Sequence, residues 1–186
     1  SKTKKNYMHQ MHKRKLIKNK DYIDYPLIKG KKIPFWTPLK ESYTYVEILM
    51  NHYKKIWPKK NKTYYHGDLT IENTIFMKDK YPLIIDWEYS SEYKTWGLDI
   101  CYLLISSVIL PMLVKEEKKI QDIELQLFED LWLKFFKKGT FKLVKSPLQQ
   151  IKRINKKLIK IRPKKNDFIY KINNFQKNQL LEIINS

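Results

Sequence analysis

The chain has 186 residues with 38 Lys or Arg against 19 Asp or Glu, which gives a formal net charge of +19. Its hydrophobic content of 42% is ordinary for a globular protein and argues against wholesale disorder, and its length suits one domain. The single cysteine, Cys101, excludes an internal disulfide and is typical of a reducing compartment; its apolar neighbours predict a buried, inert thiol.

Residues 1–41 are predicted to be a basic N-terminal segment and connector. They hold no acid before Asp21, and no apolar block follows the basic start, so we predict no secretory signal and a cytoplasmic location. His9 and His12 stand three apart, a spacing that a helix could use for a metal, but no third ligand accompanies them and a solvated basic arm is favoured. Turns are predicted at Pro26, Gly30, Pro34 and Pro38.

A helix is predicted from Ser42, acting as its N-cap, to about Trp57, with Pro58 ending it. Apolar side chains recur along one face of this helix at helical spacing: Tyr45, Val46, Leu49, Met50, Tyr53 and Ile56. A polar link then leads into a stretch with a catalytic pattern.

In that stretch His66, Asp68 and Asn73 stand in the order H-x-D-x-x-x-x-N, and Asp86 follows a short apolar run. Phosphoryl transfer needs a carboxylate to orient and deprotonate the attacking hydroxyl, and oxygen ligands for the Mg²⁺ that neutralises the phosphates. The pattern predicts Asp68 as the catalytic base, with Asn73 and Asp86 as ligands of Mg²⁺ and through it of the nucleotide.

Residues 66–73 (HGDLTIEN) and 84–88 (IIDWE) resemble the aminoglycoside phosphotransferase and choline kinase-like superfamily, which has the protein kinase-like fold. The resemblance is specific over residues 64–104 and weak elsewhere. It implies ATP as donor and a small-molecule hydroxyl as acceptor. The segment around Asp86 looks like the choline type, whereas Gly67 looks like the aminoglycoside type, so an amino alcohol such as choline or ethanolamine, a sugar and an aminoglycoside all stay open.

Three further residues are predicted to support the site. His66 is interpreted as an organiser of the loop, in preference to a general base. The resemblance implies that Asp99 binds the loop backbone, and a plain helix cap is the alternative. Glu88 is expected either near the metal and substrate or at the surface.

Residues 89–96 are predicted to be a loop, followed by an apolar helix that opens at residues 97–99 and runs to Val114. Its apolar run is shorter than the ~20 residues that span a bilayer and contains Pro111, so a buried core helix is expected and no transmembrane segment. Three more helices are predicted over residues 116–138, from Ser146 to about residue 162, and from Asp167 onward, with basic polar faces on the last two. Trp132, Phe135 and Phe136 are interpreted as core residues or as the wall of a pocket.

The predicted fold class is α+β, with residues 42–186 forming a mainly helical kinase-like C-terminal catalytic lobe in which a small β-hairpin carries the catalytic loop. The four glycines cannot be written as a Gly-rich nucleotide loop. We therefore predict that the N-terminal nucleotide lobe is absent, that the chain is a C-terminal fragment, and that it is slow or inactive alone. The predicted function is an ATP- and Mg²⁺-dependent phosphotransferase. The alternative is an inactive kinase-derived module whose basic helices bind nucleic acid or an acidic membrane.

Overall fold

The fold is known from a computed structural model, which describes residues 17–18, 23–24, 29–56, 63–78, 81–87, 89–93, 98–137, 149 and 171–185. Over these ranges the chain is α+β and mainly helical, which confirms the predicted class. The elements in chain order are β1 (Ile17–Lys18), β2 (Ile23–Asp24), β3 (Lys31–Lys32), α1 (Leu39–Ile56), β4 (Thr63–Tyr65), β5 (Thr74–Phe76), β6 (Leu83–Ile84), β7 (Ser91–Tyr93), α2 (Leu98–Val114), α3 (Asp122–Trp132), a π-helical turn (Leu133–Lys137) and α4 (Asn174–Asn185).

The described strands form three small antiparallel sheets. Strands β3, β5 and β6 form one sheet in that order, β4 pairs with β7, and β1 pairs with β2. Strand β3 therefore joins the connector to the hairpin that follows the predicted catalytic loop. Strand β7 lies where a loop was predicted. That prediction was wrong for Ser91–Tyr93, because this strand is ordered by pairing with Thr63–Tyr65 and carries too few residues to show an alternating pattern.

Helix α2 is the centre of the core. It is apolar on every side and almost wholly buried, as expected for a helix that other elements surround. Helices α1 and α3 pack against it. Pro111 does not end the helix, which continues to Val114, since a proline this close to the last turn removes a single backbone hydrogen bond. No helix in the described part of the chain combines the length and apolarity needed to cross a bilayer.

Helix α1 begins three residues earlier than predicted, at Leu39. Ser42 lies inside the helix, and its buried hydroxyl donates to the carbonyl oxygen of Pro38 at 3.0 Å instead of capping. The cap comes from Glu124 of α3, whose carboxylate oxygens accept hydrogen bonds from the backbone N–H groups of Leu39 at 2.8 Å and Lys40 at 3.3 Å. A carboxylate in this position also interacts favourably with the positive end of the helix dipole.

The later helices are shorter than predicted. Helix α3 begins at Asp122 because the chain turns after α2 through Glu116, which has a φ of 55°. Helix α4 begins at Asn174, after a reciprocal cap in which the Asn173 side chain accepts from the Gln176 N–H and the Gln176 side chain accepts from the Asn173 N–H. Phe175, in the first turn of this helix, is 58% exposed.

Other predictions near the C-terminus have mixed outcomes. Trp132 and Phe135 are buried and belong to the main core, which confirms their interpretation as core residues. Asp167, the predicted start of the last helix, lies outside the described residues. Nearly all of the helix predicted from Ser146 also lies outside the described residues. The same holds for most of the basic faces predicted on the last two helices.

Candidate active site

The predicted catalytic loop, residues 66–73, runs between β4 and β5 and is bonded to α2 through Asp99. The Asp99 carboxylate is 2% exposed and accepts hydrogen bonds from the backbone N–H groups of His66 at 2.6 Å and Gly67 at 3.0 Å. The hydroxyl of Tyr53, on α1, donates to the same carboxylate. Asp99 therefore joins the loop to helices α1 and α2.

Burial and the neighbouring polar groups have opposite effects on the pKa of the Asp99 carboxyl. Desolvation raises the pKa of the Asp99 carboxyl, while the nearby His66 and the donors from Tyr53 and the loop backbone act in the opposite direction. The carboxylate still has three hydrogen-bond donors around its two oxygens. Its geometry is that of a support for the loop backbone, which is one of the two roles expected of it.

The His66 imidazole links the loop to the segment that follows β6, because its two nitrogens contact the backbone of Asp68 and of Ile85. Its Nδ1 accepts from the Asp68 N–H at 3.2 Å, and its Nε2 lies 2.7 Å from the carbonyl oxygen of Ile85. These partners require the neutral tautomer with the proton on Nε2, because Nδ1 is an acceptor and the Ile85 oxygen needs a donor. The ring is fully buried beside Trp87, with 4.6 Å between centroids. Both ring nitrogens are engaged with the backbone, which is the arrangement of an organiser of the loop.

Stability should fall on acidification because of His66. Desolvation lowers the pKa of this imidazole below its ordinary 6.5, although Asp99 and the Ile85 hydrogen bond oppose the shift. Below pH 6.5 the unfolded chain therefore binds a proton at this position that the folded chain does not bind, and the free energy of unfolding decreases as the pH falls from about 7.5 to 5.5. Urea denaturation at both pH values is the measurement.

The matched variant for this test is His66→Gln, which can donate and accept but does not titrate. Its loss of stability between the two pH values should be smaller than that of the wild type. Burial also lowers the pKa of His52, but His52 is present in both proteins, so its contribution cancels in the comparison. Equal losses in the two proteins would contradict the prediction.

Gly67 occupies a position that no other residue fits well. Its φ is 86°, in the left-handed region, and a Cβ on this residue would lie 2.5 Å from the carbonyl oxygen of Tyr89. The loop therefore passes directly against the chain that follows Asp86. This close approach places the loop that carries Asp68 next to the segment that follows Asp86.

Gly67→Ala is expected to destabilise the fold by about 1–3 kcal/mol, because it adds left-handed strain to a clash with backbone. Gly67→Asn tolerates the φ better but keeps the clash. Urea denaturation of both variants separates the causes. Equal losses identify the approach of the Tyr89 carbonyl as the constraint, a much smaller loss for asparagine identifies φ, and wild-type stability in both contradicts the prediction.

Asp68 and Asn73 meet within the loop. The Asn73 side-chain amide donates to the backbone oxygen of Asp68 at 2.8 Å and lies 3.4 Å from its carboxylate Oδ2. The hydroxyl of Tyr102, on α2, lies 3.4 Å from the other carboxylate oxygen, Oδ1. The predicted base, Asp68, and the predicted metal ligand, Asn73, are both partly exposed and thus share one small volume at the surface of the loop.

Asp86 is brought to the same edge by the hairpin. The N–H of Ile85 donates to the carbonyl oxygen of Asn73 at 2.9 Å, which extends the pairing of β5 with β6 up to the residue before Asp86. Asp86 itself is exposed and has a φ of 59°, which costs free energy in a residue other than glycine. Such strained conformations concentrate at functional sites.

The donor set suits Mg²⁺. Asn73 and Asp86 supply amide and carboxylate oxygens, which Mg²⁺ prefers while it keeps water and substrate phosphates as its other ligands. No cluster of three or more His, Cys, Asp or Glu side chains that could hold a metal occurs in the described ranges. The predicted Mg²⁺ site differs from such a cluster, because its ligands would be one asparagine, one aspartate and substrate oxygens. Glu88, the third acidic candidate, lies outside the described residues.

Three aromatic residues at the site were missed by the sequence reasoning. Tyr53 and Tyr102 donate to the two key aspartates, and the indole N–H of Trp87 donates to the carbonyl oxygen of Ile84 at 2.9 Å. The signal for Tyr102 was its place one helical turn after Asp99 on the same face of the predicted helix. Tyr53 carried no comparable signal, since its apolar spacing indicated only a core residue.

Comparison of the chain with models of protein families, with curated proteins and with solved structures gives no match.

Proposed function

We propose that the chain is the catalytic lobe of an ATP- and Mg²⁺-dependent phosphotransferase that acts on a hydroxyl of a small molecule. The observation that carries this proposal is the contact between Asp68 and Asn73 on a loop whose backbone is hydrogen-bonded to the residue before Asp86. Asp99 supports this loop from the core. A base and two hard oxygen ligands are what phosphoryl transfer requires.

In the proposed reaction Asp68 orients the acceptor hydroxyl and takes its proton. The hydroxyl oxygen forms a bond to the γ-phosphorus of ATP, the bond from that phosphorus to the β–γ bridging oxygen breaks, and ADP leaves with the electron pair. Asn73 Oδ1 and the Asp86 carboxylate would hold Mg²⁺, which when bound neutralises charge on the phosphates. General base catalysis of this kind contributes about 10²–10⁴-fold to the rate.

The remaining residues of the site would act by orientation. His66 and Asp99 hold the loop backbone on either side of Gly67, so the direction of the Asp68 side chain follows from the fold. Rigid positioning of this kind carries roughly 7–11 kcal/mol of the barrier in well-oriented reactions. The acceptor classes to test are amino alcohols, sugars and aminoglycosides.

Calorimetric titration with Mg²⁺-ATP tests the proposal, with the wild type beside Asp86→Ala. Unlike the slow or inactive fragment predicted from the sequence, the proposed lobe should bind Mg²⁺-ATP by itself. The variant should bind it at least tenfold more weakly, because a ligand of the metal is lost. Asp122→Ala is the control, since this exposed aspartate lies in the first turn of α3. An acceptor panel of choline, ethanolamine, a hexose and an aminoglycoside follows, with release of ADP as the readout.

Two results would contradict the proposal. One is binding of Mg²⁺-ATP with the same affinity in the wild type and Asp86→Ala, which would put the nucleotide elsewhere. The other is the absence of both nucleotide binding and transfer in the wild type. Binding of RNA or anionic vesicles that persisted in Asp68→Ala and fell steeply with salt would instead favour the module that binds nucleic acid or membrane.

A further inference from the structure

Tyr102 contacts the proposed base from the opposite side to Asn73. It lies on α2, one turn after Asp99, and only 4% of it is exposed. Its hydroxyl lies 3.4 Å from Asp68 Oδ1, while the Asn73 amide lies 3.4 Å from Asp68 Oδ2. Each carboxylate oxygen therefore has its own donor, one from the core helix and one from the loop.

The two donors have different consequences for the carboxylate. Asn73 belongs to the same loop as Asp68 and moves with it. Tyr102 belongs to α2, the buried centre of the fold. Its hydroxyl therefore fixes the orientation of the Asp68 carboxylate relative to a rigid helix. Both distances are longer than the usual 2.5–3.2 Å for hydrogen bonds. Hydrogen bonds at catalytic groups are commonly long in the free protein and shorten when the substrate binds.

We propose that Tyr102 is a positioning residue for the phosphoryl transfer, an inference that rests on the proposed function. With Oδ1 directed to Tyr102, Oδ2 is the oxygen presented to the acceptor hydroxyl, on the side where Asn73 and Asp86 would hold the metal. A carboxylate oxygen has two lone-pair sites, so Oδ2 can bind the acceptor while it faces the Asn73 amide. Tyr102 acts through Asp68 and takes no proton itself.

The test is Tyr102→Phe, which removes the hydroxyl and keeps the ring in the core. We expect kcat to fall about tenfold, because the ionised base loses a charge-assisted hydrogen bond and its fixed orientation. KM for ATP should stay unchanged. In an Asp68→Asn background the same change should have no further effect on kcat, because Tyr102 acts through the Asp68 carboxylate.

Tyr43→Phe is the matched control, since it removes another tyrosine hydroxyl that donates to an aspartate. That contact joins α1 to Asp130 of α3, away from the loop. The control should keep the wild-type kcat. The assays use Mg²⁺-ATP with the acceptor found in the panel, or with water as acceptor and ADP release as the readout.

The outcomes separate this inference from the proposed function. An active wild type with an unchanged kcat in Tyr102→Phe overturns the inference alone. So does an equal loss of kcat from Tyr102→Phe in the wild-type and Asp68→Asn backgrounds, because a purely structural role would give that result. A wild type that neither transfers phosphate nor hydrolyses ATP overturns both.

Discussion

Asp68→Asn is expected to lower phosphoryl transfer by about 10²–10⁴-fold, the usual contribution of a general base. Asparagine has nearly the same shape and can still accept from Tyr102, but it cannot take the proton of the acceptor hydroxyl. The Asp68 side chain is partly exposed and the substitution is nearly isosteric, so stability should be close to that of the wild type. The measurement is the release of ADP in the presence of the acceptor.

Asp130→Asn is the control for this experiment, because Asp130 is an exposed aspartate that accepts from a tyrosine far from the loop. Binding of Mg²⁺-ATP should be preserved in Asp68→Asn, since the proposed metal ligands are Asn73 and Asp86. A decrease in transfer of less than threefold would show that Asp68 is not the base. Loss of nucleotide binding would assign Asp68 to the metal instead.

Asp99→Ala is expected to cost about 3–5 kcal/mol of the free energy of unfolding. The substitution leaves three buried donors without their acceptor, namely the hydroxyl of Tyr53 and the backbone N–H groups of His66 and Gly67. Each unsatisfied buried group costs about 1–3 kcal/mol, and the contributions of neighbours do not add fully. Urea denaturation followed by far-UV circular dichroism measures the change.

A loss of this size is a large fraction of the ~5–15 kcal/mol that stabilises a typical domain, so a milder variant is needed beside it. Tyr53→Phe removes one of the three donors and should cost about 1–3 kcal/mol. Asp122→Ala, in the exposed first turn of α3, should change stability by less than about 0.5 kcal/mol. If Asp99→Ala resembled Asp122→Ala, the carboxylate would not be the link between loop and core.

The candidate site was more predictable from the sequence than the fold around it. Asp68 and Asn73 lie on one short loop, so local spacing was enough to indicate that they meet, and the hairpin that leads to Asp86 follows at once. The left-handed conformation of Asp86 could not be predicted, because it depends on how the chain leaves β6 and passes Gly67. Tyr102 was missed since a tyrosine in an apolar helix indicates the core first.

The errors in the fold arose where distant parts of the chain decide a boundary. Ser42 has the chemistry of a cap, but the cap of α1 comes from Glu124, and nothing local to Leu39 indicates this. Strand β7 exists through its pairing with β4 across the catalytic loop.

The distant cap of α1 has a consequence for synthesis on the ribosome. Glu124 follows Leu39 by 85 positions. At translation rates of ~5–20 residues per second it therefore emerges roughly 4–17 s later. During that interval the nascent α1 lacks the carboxylate that caps its N-terminus. The catalytic loop waits for a shorter time, because Asp99 follows His66 by 33 positions, or roughly 2–7 s at the same rates. The segment that carries Asp68 is thus made early and ordered late, so chaperones that hold nascent chains have several seconds in which to bind it.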